Sequence, residues 1–313
     1  MKGNVVWSVT AVVCVYTERR WDRILLALRS LREQTLAPQE ILVVVDHNPA
    51  LGAKLAAALP DVRVVENRHR QGLSGGRNTA LELATGDLVA FLDDDAQAAP
   101  DWLETLVGAM STDDVLGAGS RVEPEWQTRR PRWWPAEFDW VVGCTYRGMP
   151  GTSCVVRNPS GGAMVLRRDL RERAGLFRED LGRVGDRPVG CEETEYCLRA
   201  ARLTGGVFRY EPASTISHLV PPARCTWSYF LNRCYSEGLS KAIVARSVRG
   251  AAPLATERHY VTRVLPAGVL AGVTDAVGLD LPGLLRASNI VLGVAAASAG
   301  FLTGRARRAT LDG

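Results

Sequence analysis

The sequence predicts an α/β fold, a doubly wound and mostly parallel sheet followed by a helical appendage. Three observations carry this. Apolar runs of strand type alternate with helical repeats from Val5 to Asp95, the pattern of a parallel sheet with crossover helices. The run Leu88-Val89-Ala90-Phe91-Leu92 is uninterrupted, as in a strand buried on both faces, and it ends in Asp93-Asp94-Asp95. Beyond Pro221-Pro222 the strand signals stop and helical ones take over. The α/β part is therefore expected over 1–224 and a helical region over 225–313.

Val5 to Tyr16 is valine-rich and reads as the first strand, with Thr17 placed to cap a helix. That helix carries Ile24, Leu25, Leu28 and Leu31 at helical spacing, with Arg20, Arg23, Arg29 and Arg32 on the other side. Glu40 to Val45 is a second strand ending in Asp46, Ala50 to Leu59 a short helix, and Val62 to Val65 a third strand. In Gly72-Leu73-Ser74-Gly75-Gly76-Arg77-Asn78, Ser74 is an N-cap candidate and the glycines would admit a phosphate to the helix start; Arg77 adds a charged fork. An ordinary glycine-capped helix start is the alternative. The three aspartates follow, just beyond a strand's carboxyl end, where ligands of open α/β sheets bind. Adjacent carboxylates repel, and a hard cation such as Mg²⁺ or Mn²⁺ relieves this; a solvated acidic turn is the competing account.

Asp101 to Met110 is a helix and Val115 to Val122 a strand. The next stretch crowds Trp126, Trp133, Trp134, Phe138, Trp140 and Tyr146 among prolines, as in a functional loop or lid, or as aromatics plugging the sheet's edge. Ser160 to Arg168 reads as a glycine-started strand whose glycines admit a ligand or form a bulge. Gly190-Cys191-Glu192-Glu193-Thr194-Glu195 opens a helix, where the dipole favours carboxylates. Val207 to Tyr210 is a strand, and His218 follows it as a candidate ligand or packing residue. Thr226–Val248, Tyr260–Ala271 and Leu281–Leu302 are helical, and Ala287 to Gly304 lacks charge. That run suits a buried or membrane-resting helix better than a span, and Arg305, Arg307 and Arg308 after it would meet anionic lipid or solvent.

The chain is 46% hydrophobic and 23% charged, with a net charge of +4, which makes it globular and gives no ground for nucleic-acid binding. Seven scattered cysteines without a C-x-x-C pair or secretory leader suit reduced thiols in the cytoplasm. Four dispersed histidines make no zinc site.

Taken together, Val12 to Glu18, Asp46, Gly75-Gly76-Arg77-Asn78, Gly86-Asp87 and Phe91 to Asp95 resemble, in order and spacing, the nucleotide-binding half of family-2 glycosyltransferases, which have the GT-A fold. The resemblance spans about the first two-thirds of the chain. It implies a nucleotide-binding half over about 1–110 and an acceptor half over about 111–224. It implies that Asp46 and Arg77 contact the nucleotide base region, and it sets Tyr16, Glu18, Gly75 and Asp94 among the donor-binding residues. Asp93 and Asp95 match the D-x-D motif. Asp95 would ligate Mn²⁺ or Mg²⁺, Asp93 would meet the ribose or the metal shell, and His218 would be a further ligand as in some members. An acidic pair in the family ends in the general base; here it is Glu192-Glu193, so Glu193 takes that role by position, with Glu192 and Glu195 beside it. The expected activity is inverting, metal-dependent transfer from a nucleotide diphosphate sugar, UDP by default, to a hydroxyl of a glycan, lipid-linked or small-molecule acceptor. The expected location is cytoplasmic, with peripheral contact at the membrane's inner face. A sugar-1-phosphate nucleotidyltransferase would carry a glycine-rich, lysine-containing loop where Tyr16-Thr17-Glu18-Arg19 stands. A non-catalytic nucleotide-sugar binding protein would lose the base or the D-x-D.

Overall fold

A computed structural model describes residues 7–183, 190–247 and 258–309. Two compact units result. The first comprises Met1–Val122, Pro150–Arg187 and Glu192–His218; the second comprises Glu123–Met149, Pro188–Cys191 and Leu219–Gly313.

The described residues of the first unit are built on a nine-stranded sheet. Its first strands are β1 (Val9–Val15), β2 (Glu40–Val45), β3 (Arg63–Glu66) and β4 (Leu88–Asp93). After them come β5 (Ala96–Ala98), β6 (Val115–Trp126), β7 (Cys154–Val156), β8 (Ala163–Arg167) and β9 (Val207–Val220). The order is β3-β2-β1-β4-β8-β6-β9-β5, with β7 on β9. β1 to β4 run parallel; β8 then pairs antiparallel with β4, so the sheet is mixed past that point. The helices α1 (Trp21–Arg32), α2 (Pro49–Ala58), α3 (Leu73–Leu83), α4 (Trp102–Gly108), α5 (Leu170–Ala174) and α6 (Glu192–Thr204) cover it. Leu88 to Leu92 are all buried, as an uninterrupted apolar strand requires. The core joins Val12, Leu42, Phe91, Met164, Tyr196 and Phe208, and Phe177 stacks on Tyr196 with centroids 4.1 Å apart.

Local chemistry shifts several expected ends. Thr17 caps a 3₁₀ turn at Glu18–Arg20, not α1 itself: its hydroxyl accepts from Arg19 N at 3.3 Å. Ser74 is not the cap of α3, because its hydroxyl donates to Leu181 O at 2.7 Å. The helix opens after Gly72, whose φ of 129° only glycine adopts readily. The strand expected over Val207–Tyr210 continues to Val220, so His218 lies within β9 and not past a strand end. Val5, Val248 and the side chains of Arg307 and Arg308 lie outside the described residues.

In the second unit, α7 (Trp227–Ser247), a π-helical turn at Tyr260–Val264, α8 (Leu265–Val277) and α9 (Pro282–Ala309) follow one another. The aromatic segment packs among them as core. Trp134, Phe138 and Phe230 are buried, with Phe138 and Phe230 centroids 5.3 Å apart. Trp140 donates to the Tyr260 hydroxyl at 3.0 Å. The Gly-, Ala- and Ser-rich run of α9 has a packing cause: a Cβ on Gly300 would stand 2.0 Å from Tyr235 O of α7.

Candidate functional site

The parallel register aligns the carboxyl ends of β1, β2 and β4: Val15 lies opposite Val45, and Cys14 opposite Asp93. The chain then turns at Asp94 and Asp95 into β5, which pairs antiparallel with β9 so that Ala96 faces His218. That register places His218 Nε2 3.2 Å from Asp95 Oδ1. Asp93, Asp95 and His218 each offer one ligand atom, and these atoms lie within 4.8 Å of one another. Asp95 and His218 are buried and Asp93 is half-buried. Two carboxylates and an imidazole suit Mn²⁺, and Mg²⁺ less well because it prefers oxygen ligands and bound water. The fit is reinforced by a buried Asp94 Oδ2 that has no hydrogen-bond partner. Burial pushes the Asp94 carboxyl up to about 7, while Arg20 pulls it back.

Gly162 explains how β8 tolerates this cluster. A Cβ there would lie 2.1 Å from Asp93 Oδ2, and its carbonyl accepts from Asp93 N at 3.1 Å. A Cβ on Gly161 would lie 2.8 Å from Arg77 Nη2. The two glycines therefore make room for the protein's own Asp93 and Arg77.

Arg20 is a site residue that the sequence reading set only on the outer face of a helix. From the 3₁₀ turn it pairs with Asp94, reaches Asp95 Oδ2 at 3.1 Å and lies 5.3 Å over the Tyr16 ring. The only signal in the sequence was its position just beyond the carboxyl end of β1. Asp95 is thus held from two sides, by Arg20 at Oδ2 and by His218 at Oδ1.

The second acidic cluster resolves into three different environments. Glu192 Oε1 bonds Arg77 Nη1 at 2.8 Å, and both side chains are buried, 6% and 3% exposed. The Arg77 guanidinium also faces the Phe91 and Phe177 rings at 5.8 and 5.7 Å. Burial opposes its charge, but Glu192, Asp93 and Glu193 outweigh this and hold its pKa above the ordinary value. Glu195 is likewise buried and pairs with Arg199 at 2.9 Å; Arg199 in turn donates to the carbonyls of Ala174 and Leu176. Glu193 is the half-buried member, and its Oε1 accepts from the Thr194 hydroxyl at 3.2 Å. Cys191, just before this helix, has φ of 69°, a left-handed conformation unusual for a side chain with Cβ.

The remaining candidates sit around the loop before α3. Asp46 accepts from Asn67 Nδ2 at 2.7 Å and from Gly72 N at 2.9 Å, and it meets the His47 ring at 3.0 Å. It therefore braces residues 67–72, and Asn67 is a partner that sequence reasoning missed. Gly75 is needed for that packing, since a Cβ would stand 2.0 Å from Arg70 O. Glu18 is about half exposed, with Lys54 Nζ 3.8 Å from its carboxylate. The structure thus gathers Asp93, Asp94, Asp95, His218, Arg20 and Tyr16 at one end of the sheet. Asp46 and Gly75 meet at the loop. Arg77 is buried and directed toward Glu192.

Residues 10–175 match the profile of Glycosyl transferase family 2. A glucosyl-dolichyl phosphate glucuronosyltransferase of Haloferax volcanii is 33% identical over 241 residues, covering 76% of this chain and 77% of the relative. The succinoglycan biosynthesis protein ExoM of Rhizobium meliloti is 25% identical over 235 residues, covering 72% and 71%. Among solved structures, the mannosyltransferase PcManGT from Pyrobaculum calidifontis, in complex with GDP-Man and Mn²⁺, superposes with a TM-score of 0.63 at 21% identity. That match covers 96% of this chain and 88% of PcManGT.

Proposed function

Because this chain belongs to glycosyltransferase family 2, we propose that it transfers a sugar from a uridine diphosphate sugar to an acceptor hydroxyl, with inversion at the anomeric carbon. The observation that carries the reading is the convergence of Asp93, Asp95 and His218 beyond the sheet's carboxyl edge. These three would hold Mn²⁺ or Mg²⁺, which when bound neutralises the charge of the leaving diphosphate. Arg20 would keep Asp95 oriented, as groups that hydrogen-bond a metal ligand commonly do.

Glu193 would be the general base. Its carboxylate takes the acceptor's hydroxyl proton as the oxygen attacks the anomeric carbon. The bond from that carbon to the diphosphate oxygen breaks on the opposite face, and its electron pair leaves with the diphosphate. Its place as the second member of the acidic pair supports Glu193, while Glu192 bonds Arg77 and Glu195 bonds Arg199. The brace that Asp46 makes with residues 67–72 supports a shaped edge beside the base-binding region. Tyr16, Glu18, Gly75 and Asp94 would border the donor, and Arg77 would act from beneath. On this reading the catalytic region is 1–224 and the helical region 225–313 serves attachment, with the protein cytoplasmic and peripheral at the membrane's inner face. The name of the Haloferax volcanii relative favours a lipid-linked acceptor.

The test is thermal unfolding with Mn²⁺ and a panel of nucleotide sugars. A ligand at 100 times its Kd stabilises the folded state by about 2.7 kcal/mol. A Tm rise with UDP-hexoses or UDP-uronates that needs Mn²⁺ is expected. A response to GDP-sugars alone overturns the choice of nucleobase, and no response to any member overturns the donor class.

A further inference from the structure

The second unit turns its large aliphatic side chains outward. α8 and α9 approach through glycines: a Cβ on Gly283 would stand 2.3 Å from Gly272 O, and one on Gly272 would stand 2.6 Å from Gly283 O. α9 meets α7 the same way, since a Cβ on Gly238 would lie 2.0 Å from Ala297 O. The small residues face inward, so the large ones are left outside. On α8 these are Leu270, Val273 and Val277; the turn adds Leu279 and Leu281, 88% and 67% exposed. On α9 they are Leu284, Leu285, Val291, Leu292 and Leu302, at spacings that keep one helical face. No charged residue occurs from Ala287 to Gly304. Apolar exposure on this scale marks an interaction surface.

Charge selects the occupant. Residues 258–306 hold four arginines (Arg258, Arg263, Arg286, Arg305) against two aspartates (Asp275, Asp280). Both aspartates bond Arg286 at 2.7 Å, and Arg132 lies 2.9 Å from Asp280. The acids are therefore compensated, and exposed Arg258 and Arg263 before α8 and Arg305 near the end of α9 leave a positive surplus. The face is mostly aliphatic, with exposed Ser288 in its midst, and among the described residues its large exposed side chains include none of the Tyr or Trp anchors that dominate protein interfaces. Anionic lipid headgroups over acyl chains match both features. α9 is long and apolar enough to cross a bilayer, but its inner face is committed to α7 and α8, which suits lying in the interface.

We propose that the α8–α9 hairpin, with its Leu279–Leu281 turn, is the surface by which this protein docks in the plane of an anionic bilayer. This rests on the reading of the helical region as membrane-proximal and extends the contact back to Leu270. The sequence pointed only to residues after Ala287.

The test is flotation of the full chain with vesicles of phosphatidylcholine alone and of phosphatidylcholine mixed with phosphatidylglycerol. The unaltered protein is expected to float with the anionic vesicles and to be released by alkali. Leu279→Ser and Leu281→Ser, at exposed sites, should each weaken partitioning by about tenfold or more. Arg263→Gln and Arg305→Gln should each weaken it by about fivefold on anionic vesicles only. Retention of the Mn²⁺ and nucleotide-sugar thermal response shows that the variants are folded. Flotation unchanged in the leucine variants overturns the assignment to this hairpin and leaves the membrane reading standing. Resistance to alkali overturns in-plane docking. Failure of the unaltered protein to float overturns both; a dimer dissolved by Leu279→Ser would then identify the face as a contact between copies.

Discussion

The three glutamates that open α6 separate structure from catalysis, and changing each to glutamine tests the separation. Glu192 and Arg77 are 6% and 3% exposed and 2.8 Å apart. Glu192→Gln leaves the arginine charged in a buried site, a change that costs about 3–5 kcal/mol. Adding Arg77→Met should restore much of this, because a buried pair replaced by apolar groups is often neutral. Glu195 faces Arg199, which is 19% exposed and also bonded to two carbonyls, so Glu195→Gln should cost about 1.5–3 kcal/mol. Glu193→Gln should lower kcat by about 10²–10⁴. Stability is best followed by hydrogen exchange of α3 and α6 amides, since a chain of two compact units need not unfold in one step. Activity is followed by single-turnover transfer at saturating donor. Full amide protection in Glu192→Gln refutes the buried-pair argument. Near-normal turnover in Glu193→Gln, or a larger turnover defect in a stable Glu192→Gln, removes Glu193 as base.

Asp95→Asn should abolish Mn²⁺-dependent nucleotide binding with the fold intact; calorimetry giving unaltered affinity removes Asp95 from the cation site. Arg20→Gln frees Asp95 Oδ2 and should weaken Mn²⁺ binding by about 10–100-fold, read by Mn²⁺ spin resonance without donor; unchanged or tighter binding contradicts the orienting role. Cys234 is buried, and burial pushes its thiol up to about 12, so at pH 8 it should stay unalkylated in the native protein and react after denaturation, as peptide mass spectrometry would show. Native labelling of Cys234 would contradict its burial on α7.

Much of the first unit was legible in the chain because its signals are local. Leu88 to Leu92 need no partner to read as a buried strand, and a carboxylate run at a strand's end falls at the sheet's edge by topology alone. The π-turn and α8 were legible only as one helical stretch, because periodicity does not distinguish the two winding modes. The aromatic segment left a lid and a plug at the sheet's edge both open; α7 and Tyr260, more than ninety residues later, make Trp134 and Phe138 core of the second unit. Local sequence carries no record of such a distant partner.

What the sequence determined by itself was the parallel β-α-β order, the identity of the acidic clusters and the apolar character of the last helices. What only the tertiary structure decided was pairing. His218 meets Asp95 because β5 sits opposite β9 in one register, and a one-residue slip would turn it to the other face. Arg77 meets a buried partner in Glu192, 115 positions away. Glu192, Glu193 and Glu195 look alike as letters, and the fold sets Arg77 against Glu192 and Arg199 against Glu195. Periodicity and composition are properties of neighbours along the chain, whereas the charge state and role of a carboxylate depend on what the fold brings within a few ångströms.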